Sequence, residues 1–209
     1  MNPDFQCIFD PLISELLSIV ERADQCSIET IRVQSTTQLN KANDAFEVSE
    51  FADEWKYCHY AISVWLDEEI TVHHHRWSEK PLEAHYFASG YGFTKFFERA
   101  QSAFERHHFN AYEVFYICFM FGFHGVYQNG DKTAVPDGLP STDTDWQKQA
   151  SDRLAQIHRR KSSGWNEVNE AKPESMPLVG ASSLISNTIL LGFVLAALSI
   201  AIFISMRLG

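Results

Sequence analysis

The stretch Val48–Thr71, VSEFADEWKYCHYAISVWLDEEIT, decides the fold class of this chain. Its large apolar side chains recur at steps of three and four residues, at Val48, Phe51, Trp55, Cys58, Ile62 and Trp65. This spacing places them on one face of an α-helix, and such a face packs against a protein core. A strand would instead alternate apolar and polar residues, and the sequence sustains no such alternation. We therefore expect an amphipathic helix that ends near Thr71, in an all-α fold.

Further helices are indicated by apolar residues at the same spacing on both sides of this stretch. We predict them at residues 10–20, 27–45, 82–88, 93–104, 110–121 and 146–161. Asp10 followed by Pro11 is typical of a helix start, and Asn110 with Glu113 three residues later forms a capping box. The sequence therefore predicts one helical domain, a bundle, over residues 1–161.

The C-terminal segment Leu184–Met206 is 23 residues long and carries no charged side chain. At about 1.5 Å per residue, a helix of this length spans about 34 Å, enough to cross a hydrocarbon core of about 30 Å. We predict a transmembrane anchor over residues 184–206, preceded by a polar linker over residues 162–183. A very apolar core helix is the alternative. The bulky apolar residues of the segment include Leu184, Leu190, Phe193, Leu198 and Phe203.

The place of this segment in the chain predicts the topology. Met1–Gln6 has no basic cluster and is unlike a secretory signal, and three residues follow the apolar segment. We expect a single-pass protein whose N-terminal domain lies in the cytoplasm. Four scattered cysteines without CxxC spacing fit that reducing compartment and predict free thiols. Small residues such as Gly192 and Ala196 offer a face for helix–helix packing, and a homodimer through that face is a further prediction.

The charge of the chain restricts its partners. Its 27 Asp and Glu residues outnumber 17 Lys and Arg residues, which gives a net charge of −10. This charge repels nucleic acids and anionic lipid headgroups, so we expect no nucleic acid partner. An acidic surface suits a basic protein partner, although a solvated acidic surface is also the default of soluble domains.

Nine histidines raise the question of a metal site. Three adjacent residues such as His73–His75 cannot all face one ion on a helix or a strand. Metal ligands usually come from separated positions, as in HxxxH. Glu105–His108 contains one Glu-x-x-His motif, whereas di-iron bundles need two. No nucleophile motif or phosphate-binding loop is present either. We expect no metal, no cofactor and no catalysis. A membrane-tethered metal-dependent hydrolase that uses these His and Glu side chains is the alternative.

Five segments in order resemble the DotU/TssL family, inner-membrane components of type VI secretion systems with relatives in type IVB systems. They are AFE (Ala45–Glu47), YAISVWLDEEI (Tyr60–Ile70), Trp77, the paired glycines before KFFE (Lys95–Glu98), and YICFMFGFHGVY (Tyr116–Tyr127). The resemblance covers about residues 11–127, and the layout of a helical domain followed by one anchor extends it to the whole chain. An unrelated tail-anchored adaptor is the other alternative.

The resemblance implies a fold, a location and partners. It implies two small helical bundles that form a hook or cleft, one C-terminal transmembrane helix, and a place in the bacterial inner membrane. It implies a non-enzymatic component that binds a TssM-type inner-membrane protein and the baseplate proteins TssK and TssE. Three positions depart from the family pattern. They are Tyr91–Thr94, where the family has Trp-Gly-Gly-Glu, His124, where it has Glu, and Gln128–Asp145, where it has an arginine-rich stretch.

Asp67, Glu68 and Glu69 form an acidic triplet near the predicted C-terminus of the Val48–Thr71 helix. Asp67 and Glu68 there face the negative end of the helix dipole, at a cost of about 0.3 to 1 kcal/mol each, which is easier to explain at a binding surface. Glu69 falls nearer the apolar stripe and would need a partner if buried. The alternative is an ordinary surface network with His73–His75 or Arg76. The resemblance implies that the equivalent acidic pair lines the cleft and contacts the baseplate, so we expect the triplet to bind the partner.

Two glycines, one within and one just after the aromatic run Phe115–Phe123, are further candidates, and a cofactor-binding role is the alternative for the run itself. The aromatic run there suits a protein core, and a glycine lets neighbouring backbones approach closely. We therefore expect Gly122 and Gly125 to serve helix–helix packing.

Overall fold

The protein was obtained as a computed structural model, which describes residues 1–128, 135–136 and 138–169. Every regular element in this described part is a helix and none is a strand, so the predicted all-α fold is confirmed. The α-helices are α1 (Pro3–Glu21), α2 (Ile28–Glu47), α3 (Ala52–His73), α4 (Leu82–Phe87), α5 (Gly92–Glu105), α6 (Phe109–Met120) and α7 (Asp143–Asn169). Short 3-10 helices lie at Ala23–Gln25, His75–Glu79 and Gly125–Tyr127.

The start of α1 lies seven to eight residues before the predicted one. The side chain of Asn2 caps this helix by accepting a hydrogen bond from the backbone N–H of Asp4 at 2.8 Å, and Pro3 is the first helical residue. Pro11, predicted to begin the helix, lies inside it. The Asn2–Pro3 pair carries the same local signal as the Asp10–Pro11 pair, and the helix begins at Asn2–Pro3.

The start of α6 also differs from the predicted capping box. Asn110 is buried and donates a hydrogen bond to Glu54 in α3 at 3.1 Å, while Glu54 accepts a second one from the backbone N–H of Ala111. Glu113 lies 2.6 Å from the α-amino group of Met1. A carboxylate of a neighbouring helix therefore binds one backbone N–H group in the first turn of α6, that of Ala111, and a local capping pair does not form.

Helix α3 lies at the centre of the core and contacts α2, α4, α5 and α6. Trp55 and Trp65 are almost fully buried in it, as the spacing predicts. The exception is Val48, which is 90% exposed because the helix begins only at Ala52. Aromatic rings fill much of the surrounding core, and Phe46 stacks on Trp55 with ring centres 4.4 Å apart. Such pairs are worth about 0.5 to 1.5 kcal/mol beyond the area that they bury.

The last helix, α7, ends at Asn169, past its predicted end at Lys161 and inside the predicted linker. Trp146, Leu154 and Ile157 are buried. Residues Met1–Ser163 form one compact unit.

No helix in residues 1–128 and 138–169 combines the length and the apolar character that a membrane crossing requires. The predicted anchor over residues 184–206 lies outside the described residues, and so do Gly192 and Ala196. These remain predictions. All four cysteines are free, and Cys58 and Cys118 are buried.

Candidate docking site

A cavity of about 480 Å³ opens beside the C-terminal half of α3. It combines three carboxylates with an apolar rim, on which Val72 is 73% exposed and Phe93 is 51% exposed. We call this cavity the acidic cleft. It is lined by Val64, Asp67, Glu68, Thr71, Val72, Pro81, Glu83, Gly90, Gly92, Phe93, Phe123 and Gln128.

Asp67 holds the N-terminus of α4. One of its carboxylate oxygens, Oδ1, accepts hydrogen bonds from the indole N–H of Trp77 and the backbone N–H of Leu82, both at 2.7 Å. The other oxygen accepts one from the backbone N–H of Glu83 at 2.8 Å. Burial raises the pKa of Asp67 to about 6, although these three donors counteract the rise. Asp67 is therefore a positioning residue for one wall of the cleft.

Glu68 does the same for the 3-10 helix Gly125–Tyr127. Its carboxylate accepts hydrogen bonds from the backbone N–H of His124 at 2.7 Å and from that of Gly125 at 3.0 Å. Burial raises the pKa of Glu68, and these bonds oppose the rise. Because residue 124 contributes its backbone here, histidine in place of the family's glutamate leaves this contact intact.

Glu83 is a buried carboxylate of the cleft that the sequence pattern does not single out. It accepts hydrogen bonds from the hydroxyl of Tyr60 and from the backbone N–H of Gly92, both at 2.9 Å. Gly92 is the first residue of α5, so Glu83 joins α3, α4 and α5. An acidic residue in the first turn of a helix is common, and only the long-range contacts distinguish this one.

Glu69 differs from its two neighbours in the acidic triplet. Within the part of the chain that the structure describes, its carboxylate makes no hydrogen bond to protein. Burial raises its pKa, repulsion from Glu68 adds to the rise, and His73 and His124 lower it. A β-carbon at Gly122 would lie 2.7 Å from Glu69 Oε1, which shows how closely the backbone approaches this carboxylate. Among the three acidic residues, Glu69 has the most acceptor capacity left for a partner.

The alternative interpretation of the triplet, a surface network, is not formed through direct contacts of His73, His74 or Arg76. Helix α3 continues to His73, so the triplet precedes the last turn, where the dipole effect is concentrated. His73 Nδ1 lies 2.8 Å from Asp24, and His74 Nε2 lies 2.8 Å from the carbonyl oxygen of Ala23. Arg76 lies 3.5 Å from a glutamate on its own 3-10 helix. These side chains bind elsewhere and do not offset the triplet by direct contact.

Gly122 lies in the turn after α6, and Gly125 is the first residue of the 3-10 helix Gly125–Tyr127, so neither lies within an α-helix; their role in helix–helix packing stays a prediction. Their φ angles are +110° and +50°, in the region that favours glycine. A β-carbon at Gly125 would lie 2.8 Å from the carbonyl oxygen of Phe93. Gly125 thus lets this turn approach the start of α5.

The histidines of the described residues are not grouped as metal ligands. In residues 1–128, 135–136 and 138–169, no group of three or more His, Cys, Asp and Glu side chains is placed to hold one ion. His107 adopts a left-handed φ of +62°, and His108 lies against the ring of Tyr57 with ring centres 5.4 Å apart.

The fold and site define a class: an all-helical domain with a cleft whose carboxylates organise the walls around it. The family model of the type VI secretion system protein DotU matches residues 6–208, essentially the whole chain, so the protein belongs to the DotU family. Neither a curated protein nor a solved structure matches it. The resemblance seen in the sequence is therefore confirmed, and the family places the chain among the structural components of type VI secretion systems.

Proposed function

We propose that this protein is a non-enzymatic component of the type VI secretion membrane complex that docks cytoplasmic baseplate proteins in its acidic cleft. Residues 184–206 would anchor it in the bacterial inner membrane with the helical domain in the cytoplasm. The observation that carries the proposal is the DotU family match over residues 6–208. The acidic cleft supplies the chemistry, because a cavity with carboxylates and an apolar rim suits a basic segment of a partner.

The three residues of the acidic triplet have two different roles in this proposal. Asp67 and Glu68 bind backbone N–H groups of α4 and of the 3-10 helix, so they keep the cleft open in one shape. Glu69, next to Glu68 in α3 but outside the lining of the cleft, is available to pair with a Lys or Arg side chain of a partner seated in the cleft. Val72 and Phe93 on the rim would contact the apolar neighbours of that basic side chain.

The partners follow from the family. A TssM-type inner-membrane protein would bind beside the anchor, and the baseplate proteins TssK and TssE would bind the cytoplasmic domain. A homodimer through Gly192 and Ala196 of the predicted anchor would add a second copy to the complex.

Charge reversal at Glu69 tests the docking role. We expect Glu69→Lys to abolish co-purification of the full chain with TssK and TssE, because a like charge then faces the partner's basic group. The thermal midpoint should change little, since this carboxylate makes no hydrogen bond in the described part of the chain. Glu15→Lys, an exposed position in α1, is the matched control and should leave binding unchanged. If Glu69→Lys and Glu15→Lys both bind as the unchanged chain does, Glu69 is excluded from the docking surface.

A further inference from the structure

A second cavity, of about 310 Å³, is lined by residues of α3 and α5 and shares no lining residue with the acidic cleft. Lys56 and Tyr57 line it from α3, and Arg99 and Ser102 line it from α5. Every one of these four side chains carries a hydrogen-bond donor, and none is acidic. In a chain with a net charge of −10, such a cavity is a local exception. We call it the donor pocket.

Arg99 is the main charge of the donor pocket. Its guanidinium lies over the ring of Tyr60, 3.7 Å from the ring centre, and is also 5.7 Å from that of Phe87. Tyr60 is itself fixed by its hydrogen bond to Glu83. In the described residues, no carboxylate lies within salt-bridge distance of Arg99 and no acceptor binds its N–H groups. Stacking therefore holds the cation in place and leaves its donors unused.

The other three donors are also weakly occupied. The hydroxyls of Tyr57 and Ser102 are 3.4 Å apart, a long contact in which either oxygen can donate. Lys56 Nζ lies 2.7 Å from Asp53 one turn away, but both side chains are more than 70% exposed. Exposed pairs of this kind contribute little, so a bound anion can compete for the lysine.

We propose that the donor pocket binds a phosphate group. A tetrahedral phosphate presents oxygens in four directions, and four side chains from two facing helices can donate to them. A carboxylate offers two oxygens in one plane and would leave part of the set unused. The group could come from a free phosphate-bearing anion or from a phospholipid headgroup, which share this chemistry.

Calorimetric titration of the full chain in a maltoside detergent separates the two sources. Inorganic phosphate is the probe for a free anion, and dihexanoyl-phosphatidylglycerol below its micelle concentration is the probe for a headgroup, both at constant ionic strength. We expect saturable binding of at least one probe. Arg99→Gln should weaken it at least about tenfold, because a neutral amide cannot replace the charge-assisted hydrogen bonds of the guanidinium.

Two further variants keep the result interpretable. Ser102→Ala removes one donor and leaves the Arg99–Tyr60 stack intact, so it should weaken binding without lowering the thermal midpoint. Arg106→Gln changes an exposed arginine at the end of α5 and should bind as the unchanged chain does. Binding of phosphate, of the lipid probe or of both supports the pocket and names the source. Absence of binding by both probes, or an equal loss in Arg99→Gln and Arg106→Gln, would overturn the proposal.

Discussion

Replacement of Asp67 by alanine should destabilise the helical domain. The change leaves the indole N–H of Trp77, a fully buried residue, without its acceptor, at a cost of about 1 to 3 kcal/mol. It also removes the acceptor for the backbone N–H groups of Leu82 and Glu83, and the loss of a helix cap costs about 0.5 to 2 kcal/mol. Together these losses amount to about 1.5 to 5 kcal/mol of unfolding free energy.

The measurement is thermal unfolding followed by far-ultraviolet circular dichroism. For a domain of this size, each kcal/mol shifts the midpoint by about 2 to 4 °C, so Asp67→Ala should lower it by about 3 to 20 °C. Glu69→Ala is the matched control on the same helix, and it should stay within about 0.5 kcal/mol of the unchanged chain because no hydrogen bond is lost.

This expectation reverses the one that the sequence supports. A carboxylate near a helix C-terminus should be dispensable for stability, and its removal should affect only partner binding. If Asp67→Ala keeps its midpoint and loses TssK or TssE, Asp67 contacts the partner directly and its assignment as a positioning residue is wrong. If the midpoint falls, loss of binding by this variant reports a damaged cleft wall.

Four other perturbations should have measurable outcomes. The folded pKa of Asp67, about 6, exceeds its ordinary value of 3.8, so the stabilisation linked to its protonation is complete below about pH 4 and is lost as pH rises through about 6, while its hydrogen bonds remain. Asp67→Asn should flatten that part of a stability-against-pH curve. Removal of residues from Pro177 onward should release the domain from membranes in fractionation, and sedimentation of the truncated chain with membranes would argue against the anchor. Gly125→Ala should lower the thermal midpoint by more than Gly138→Ala, because both glycines have a positive φ but, among the described residues, only the new β-carbon at position 125 meets a backbone atom, the carbonyl oxygen of Phe93 at 2.8 Å. Metal analysis of the purified chain after mild chelation should find no stoichiometric ion, and a retained ion would favour the hydrolase alternative.

The helical fold could be predicted because its signal is local. Side chains at steps of three and four residues determine which face of α3 is buried, and Trp55 and Trp65 follow that rule. The exact helix starts could not be predicted in the same way. Asn2–Pro3 and Asp10–Pro11 are equivalent local signals for a helix start. The helix begins at the earlier pair because Phe5, in its first turn, is buried in the core.

The candidate site was only partly predictable from the sequence. The acidic triplet stands out as three charges next to an apolar stripe, and two of its members do line the acidic cleft. What each carboxylate binds depends on backbone N–H groups 15 to 57 positions away in the chain. For the same reason Glu83 could not be recognised in advance, since its partners Tyr60 and Gly92 belong to other helices.

Close packing at the start of α5 makes three positions of the cleft depend on one another. A β-carbon at Gly92 would lie 2.8 Å from a methyl group of Val64 and 2.9 Å from a carboxylate oxygen of Glu83. Any larger residue at position 92 therefore requires a smaller side chain at position 64 and a different one at position 83. Homologous chains should change these three positions together. A chain that keeps glycine at position 92 should also keep an acceptor at position 83, because the N–H group of residue 92 would otherwise be buried without a partner.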